Sequence, residues 1–192
     1  IECDNILIVG SFLNKGFTFN DIDILIISDN KINIGYIKKL LQDLLKIEVQ
    51  LIVIDFKTLL KGLSTDPLYE MMLSRFVSKK RTIFNTKRRI DPRLLDLHLL
   101  KSKVMIDNFD YMGGDEKYYL TRNMVAILLF LESKKVNTKN IDKEIKKEFN
   151  LKSVSLIKKN MLDKRDFLER YRALYHKTFE KVMGLLNDTK QK

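Results

Sequence analysis

Hydrophobic spacing changes its period once along this 192-residue chain, and the change falls in the segment Lys87-Arg88-Arg89-Ile90-Asp91-Pro92. Before it, short β-branched runs alternate with helical spacing. Asn5 to Val9 (NILIV), Ile22 to Ile27 (IDILII) and Glu48 to Ile54 (EVQLIVI) read as buried strands. Between the last two, Ile34, Ile37, Leu40, Leu41, Leu44 and Leu45 recur at helical spacing, which predicts an amphipathic helix over 33–45. Phe56 to Leu60 reads as a short helical piece, Pro67 to Phe76 as a helix opened by proline, and Arg81 to Phe84 (RTIF) as a closing strand. Apolar strands alternating with helices predict a small α/β (α+β) domain with a mixed sheet over residues 1–90.

From Asp91 onward the spacing is helical throughout. Leu94 to Phe109, Tyr118 to Leu131, Ile141 to Phe149, Val154 to Asn160 and Phe167 to Leu186 predict an all-α helical bundle over residues 91–192, with Gly113-Gly114 as its first break. Charge shifts at the same place. Residues 1–80 hold ten Lys/Arg and ten Asp/Glu, and residues 81–192 hold twenty-six and fifteen, so the whole excess of +11 lies in the second half. Such an excess attracts polyanions such as RNA, DNA or phosphorylated ligands, and it equally suits a solvated Lys-rich helical surface.

The single cysteine, Cys3, rules out an intrachain disulfide or a thiolate metal cluster and fits a reducing, cytoplasmic setting. The longest apolar stretch worth testing, Met124 to Leu131, is far too short to cross a bilayer, which predicts no membrane partner.

Two carboxylates stand where chemistry is expected. Successive side chains of a strand alternate between faces, so Asp21 and Asp23 point the same way, their Cα atoms about 7 Å apart, while Ile22 and Ile24 point to the other face. Like charges side by side on an otherwise apolar strand are costly unless a cation or strong hydrogen bonds offset them. A polar turn that happens to start a strand is the ordinary alternative. Ten positions before Asp21, Gly10-Ser11 follows a buried strand. Glycine allows close backbone approach, and the following amides with the Ser11 hydroxyl can cradle phosphate oxygens. Lys15 lies in the connection, where a cation can meet a phosphate or can simply be an exposed loop lysine.

Val9-Gly10-Ser11, nine intervening residues and Asp21-Ile22-Asp23-Ile24 together resemble the signature of the DNA polymerase β-like nucleotidyltransferase superfamily, especially its minimal nucleotidyltransferase branch. The stretch Ile6 to Ile27, including Gly16, looks like that signature throughout, and the likeness extends more loosely over the first ninety residues. The resemblance implies the nucleotidyltransferase fold and a metal-dependent transfer of a nucleoside monophosphate from a nucleoside triphosphate to an acceptor. It implies that Gly10 and Ser11 hold the triphosphate and that Asp21 and Asp23 ligate Mg²⁺ or Mn²⁺. The acceptor is left open among a small molecule, RNA and protein.

The third carboxylate of that family stands on a later strand, and the matching stretch here is Val49-Gln50-Leu51-Ile52. Gln50 offers a neutral carbonyl but neither a charged ligand nor a useful proton acceptor. Glu48 shares its face and is the substitute two residues away, a surface ion pair being its ordinary role; Asp55 has the opposite parity unless a bulge intervenes. A second reading therefore stands beside the first: a catalytically weakened nucleotide- or protein-binding relic, antitoxin-like, paired with a toxin-type partner or a homo-oligomer.

A third reading concerns the last helix, where Arg170 with His176 fits the loose Arg-x(4 to 6)-His pattern of HEPN ribonucleases and implies an RNA-binding or RNA-cleaving module. Such a pair also arises by chance in an Arg-rich helix, and Arg172 with His176 is equally a helix-surface pair. His98, among leucines, reads as a packed histidine with one satisfied ring nitrogen.

Overall fold

A computed structural model of the chain describes residues 2–13 and 20–190, the last four of these by backbone alone. It is a mixed α/β protein that divides into two compact units. The first comprises residues 1–64 and 72–88; the second comprises residues 65–71 and 89–192.

The first unit is built on a four-stranded mixed sheet. Strands β1 (Asn5–Val9), β2 (Asp21–Ile27), β3 (Glu48–Ile54) and β4 (Val77–Ser78) lie in the order β3-β2-β1-β4. β1 runs antiparallel to both β2 and β4, and β2 runs parallel to β3. The parallel pair needs a crossover, which helix α1 (Ile34–Leu45) supplies. Asn33 caps its first turn by accepting from the Tyr36 amide at 3.0 Å, and Lys46 ends it in the left-handed conformation.

The central strand β2 is apolar on both faces from Ile24 onward, as expected of a strand with neighbours on either side. Ile22, Ile24, Ile26 and Val49 form one cluster, joined by partly buried Ile6, Ile8, Leu41 and Leu51. Leu7, Val9, Leu25 and Ile27 are buried on the other face. Helix α2 (Phe56–Thr65) runs further than its first apolar turn suggested and buries Leu59 and Leu63.

Two expectations at the end of this unit are corrected. The helix opened by Pro67, α3, spans Pro67–Met72 and stops short of Phe76. Arg81 to Phe84 is not a strand; the closing strand is Val77–Ser78, paired with Leu7 and Ile8. The physical reason lies in Asn5. The Lys79 amide still donates to the Ile6 carbonyl at 2.9 Å. Beyond it, however, the buried Asn5 side chain accepts from the Lys80 amide and donates to the Lys80 carbonyl, both at 2.9 Å, and donates to the Thr82 hydroxyl. A side chain thus replaces the backbone ladder, and Ile83 is left exposed.

The second unit is all-helical. Helices α4 (Pro92–Asn108), α5 (Gly114–Leu131), α6 (Thr138–Glu148), α7 (Ser155–Lys158) and α8 (Lys164–Lys190) follow one another. Asp91 caps α4 by accepting from the Arg93 and Leu94 amides, with Pro92 at the first helical position where its missing amide is harmless. α5 is the hub, packed by α4, α6, α7 and α8 and buried almost continuously from Thr121 to Phe130. Gly114 has its own packing reason: a β-carbon there would lie 2.0 Å from the Lys158 carbonyl oxygen.

Residues 65–71, which the sequence assigns to the first domain, belong to this second unit. Leu68 and Met71 pack against its core. Asp66 accepts from the Leu68 amide at 2.8 Å and lies 3.2 Å from Nε2 of His98, both side chains nearly buried. The Val136 amide donates to Glu70 at 3.1 Å. The main boundary falls between residues 88 and 89, against 90 and 91 from the sequence.

Candidate functional site

The candidate site is made where β1 ends and β2 begins. The antiparallel register sets Val9 opposite Asp23, so the residue after Val9 turns directly beside that carboxylate. Gly10 makes the turn with φ +79°, a left-handed conformation that side chains rarely adopt. A β-carbon at Gly10 would lie only 1.9 Å from Oδ2 of Asp23 and 3.0 Å from its carboxyl carbon. Two separate constraints therefore require glycine: the backbone angle, and the space that the carboxylate already fills. Ser11 opens a single 3₁₀ turn, Ser11–Leu13, which packs against β2.

Along β2, Asp21 and Asp23 alternate with buried Ile22 and Ile24 and are themselves only partly buried. The parallel register with β3 places Glu48 opposite Asp21 and Gln50 opposite Asp23, so all four side chains stand on one sheet face. Glu48 and Gln50 are exposed. Gln50 donates from Nε2 to Oδ2 of Asp21 at 2.5 Å. The carboxyl of Asp23 is raised above the usual carboxylate range, first by burial and then by the neighbouring charge of Asp21. Gly10, Ser11, Asp21, Asp23, Glu48 and Gln50 thus gather at one end of the sheet. Lys15, like Gly16, lies outside the described residues.

These donors suit a hard divalent cation in one specific way. Among the described residues no group of three or more His, Cys, Asp and Glu side chains is gathered to hold a metal. Mg²⁺ does not need such a cage, because it is commonly held by one or two carboxylates and completes its octahedron with water and phosphate oxygens. Two carboxylates on one face, one of them reluctant to ionise alone, fit that pattern; a metal cluster held by protein alone does not.

Other residues singled out from the sequence have local duties. Asp55 caps α2, accepting from the Thr58 amide at 2.8 Å and from its hydroxyl at 2.6 Å. Those bonds, the hydroxyl's first, hold its carboxyl below the usual range. Arg170 pairs with Asp166 one turn earlier, at 2.9 Å, whereas His176 is exposed. Six residues turn an α-helix through about 600°, so these two side chains leave α8 about 120° apart. Tyr171 between them is fully buried, its hydroxyl donating to the Ser102 carbonyl at 2.8 Å.

Sequence reasoning missed Lys117, which is buried and donates from Nζ to Asn160 at 2.6 Å while lying 3.6 Å from the Phe109 ring centre. Burial lowers its affinity for a proton. Nothing in the pattern Glu116-Lys117-Tyr118 distinguishes it from a surface lysine. Among the described residues, no helix is long and apolar enough to cross a membrane. No family model, curated protein or solved structure matches the chain.

Proposed function

We propose that the first unit binds a nucleoside triphosphate with Mg²⁺ and transfers its nucleoside monophosphate to an acceptor hydroxyl, releasing pyrophosphate, in the manner of the minimal nucleotidyltransferases that Ile6 to Ile27 resemble. The observation that carries this reading is the Asp23 carboxylate seated against Gly10, which sets one of the two same-face carboxylates beside the glycine turn. Asp21 and Asp23 are the proposed metal ligands. Gly10 and Ser11, with Lys15 from the connection, are the proposed phosphate contacts. When bound, the cation supplies charge neutralisation for the phosphates and the leaving pyrophosphate. The chain's own part is to hold two carboxylates on one face, at a fixed distance from the turn, so that little rearrangement accompanies binding.

One contact favours the second reading, binding without efficient turnover. Gln50 stands where a third carboxylate is expected and is engaged with Asp21, and an amide cannot take a proton from an attacking hydroxyl. Glu48, opposite Asp21, is the remaining carboxylate on that face and the candidate base. A pyrophosphate-release assay over a panel of small-molecule, RNA and protein acceptors, run on the wild type, Glu48→Gln and Gln50→Asp, separates the two. Transfer by the wild type that Glu48→Gln abolishes supports the enzyme. A silent wild type with an active Gln50→Asp supports the weakened relic. Silence in all three, with triphosphate binding intact, supports a binding protein.

The basic second unit is proposed to meet a polyanionic partner, with RNA the simplest to test. Association should weaken steeply as salt rises, because displaced counterions drive it. RNA binding indifferent to salt contradicts this part. The lone Cys3 fits a reducing, cytoplasmic location for the whole.

A further inference from the structure

Helix α1 carries apolar side chains in two directions. Ile37 is buried and Leu41 packs into the sheet cluster, as a helix crossing over β3 requires. Tyr36, Leu40 and Leu44 lie at successive four-residue steps, which stacks them along one line of the helix. They are 67%, 45% and 69% exposed. Scattered apolar residues on a surface need no explanation, but three large ones in a row on a twelve-residue helix form a continuous stripe. Along one border of the stripe stand Lys39 and Asp43, both exposed and also four residues apart.

We propose that this stripe docks a second copy of the chain, α1 against α1, antiparallel across a two-fold axis near Leu40. The charges select this occupant. In the antiparallel arrangement Lys39 of each copy lies beside Asp43 of the other, twice along the same border, while Tyr36 of each packs toward Leu44 of the other and the two Leu40 side chains meet at the axis. In a parallel arrangement the two Lys39–Asp43 rows would lie on opposite borders of the seam and neither pair across it would form. An isologous contact of this kind closes on itself and leaves no apolar remainder to propagate.

Sedimentation velocity on the full chain across the micromolar range tests the proposal, with thermal melting to verify that each variant is folded. The wild type is expected to sediment as a dimer. Leu40→Glu should give a monomer that still melts cooperatively. Lys39→Glu should weaken the dimer about tenfold, since both pairs across the axis then set two acidic groups together. The double variant Lys39→Glu/Asp43→Lys, which restores opposite charges across the axis, should recover wild-type association. A wild type that is monomeric throughout overturns the proposal. So does a dimer that Leu40→Glu leaves intact, or a double variant that dissociates as readily as Lys39→Glu alone.

Discussion

Gly10 and Asp23 constrain each other, and substitutions at the two positions should have opposite effects on stability. Gly10→Ala forces a side chain into a left-handed backbone position and onto Oδ2 of Asp23. The expected cost is about 1–3 kcal/mol in urea unfolding, together with loss of triphosphate binding. Asp23→Asn should stabilise the unit while disabling it. The native carboxyl has a raised pKa, so above the ordinary value of 3.8 the unfolded chain releases a proton that the native chain tends to keep. This term therefore favours the native state most in acid, and the advantage is lost as pH rises from 3.8 through the higher native value. The stability of Asp23→Asn minus that of the wild type should accordingly grow between pH 3.5 and 7 in the absence of metal; a difference that shrinks with rising pH would contradict the assignment. Strand parity made the shared face of Asp21 and Asp23 legible in sequence. The seat of Asp23 over Gly10 was not legible, because it depends on an antiparallel register between strands separated by a connection of unspecified path. The engagement of Gln50 with Asp21 was hidden as well: parity gives the face, the parallel register sets Gln50 opposite Asp23, and the side chain then reaches diagonally to Asp21.

At the level of elements, the closing edge of the sheet rests on one side chain. Asn5→Ala removes the bonds to both backbone groups of Lys80 and to Thr82, leaving buried polar groups unpaired. A loss of about 1–3 kcal/mol is expected, with amide exchange accelerated first around residues 77–82. Uniform exchange across the sheet would show that β4 is held by something else. The RTIF segment has the composition of a strand, yet the ladder is diverted before it begins; local propensity cannot register a partner seventy-five residues away in sequence. The apolar spacing of α1 was readable, but six apolar positions on one helix exceed a single core face. Periodicity alone does not say that Ile37 and Leu41 turn inward while Leu40 and Leu44 remain outside. α5 was the easier case, since the run from Met124 to Leu131 leaves no polar side on which to place solvent.

For the whole molecule, the chain passes between units at residues 64–65, 71–72 and 88–89, so the second unit takes all of α3 but its last residue out of the sequence of the first. Composition and period both changed near residue 90 and made the later boundary legible. The excursion at 65–71 was not, because its anchors, Asp66 to His98 and Glu70 to Val136, are long-range pairs. Asp66→Ala removes the cap of α3 and the partner of His98 together, and should cost about 1–3 kcal/mol. Its effect on amide exchange should fall on the helical unit, and that of Gly10→Ala on the sheet. The two should combine additively, as expected of sites without shared partners. The proposed chemistry requires Asp21 and Asp23 to gather a cation against a triphosphate. Calorimetric titration of a nonhydrolysable triphosphate into the full chain, with and without Mg²⁺, and into the variant Asp21→Asn/Asp23→Asn, puts the question directly. Binding that requires Mg²⁺ and disappears in the double variant, with the fold retained, is the predicted result. Binding of equal strength without the metal or without both carboxylates, or no binding to the wild type, would contradict it.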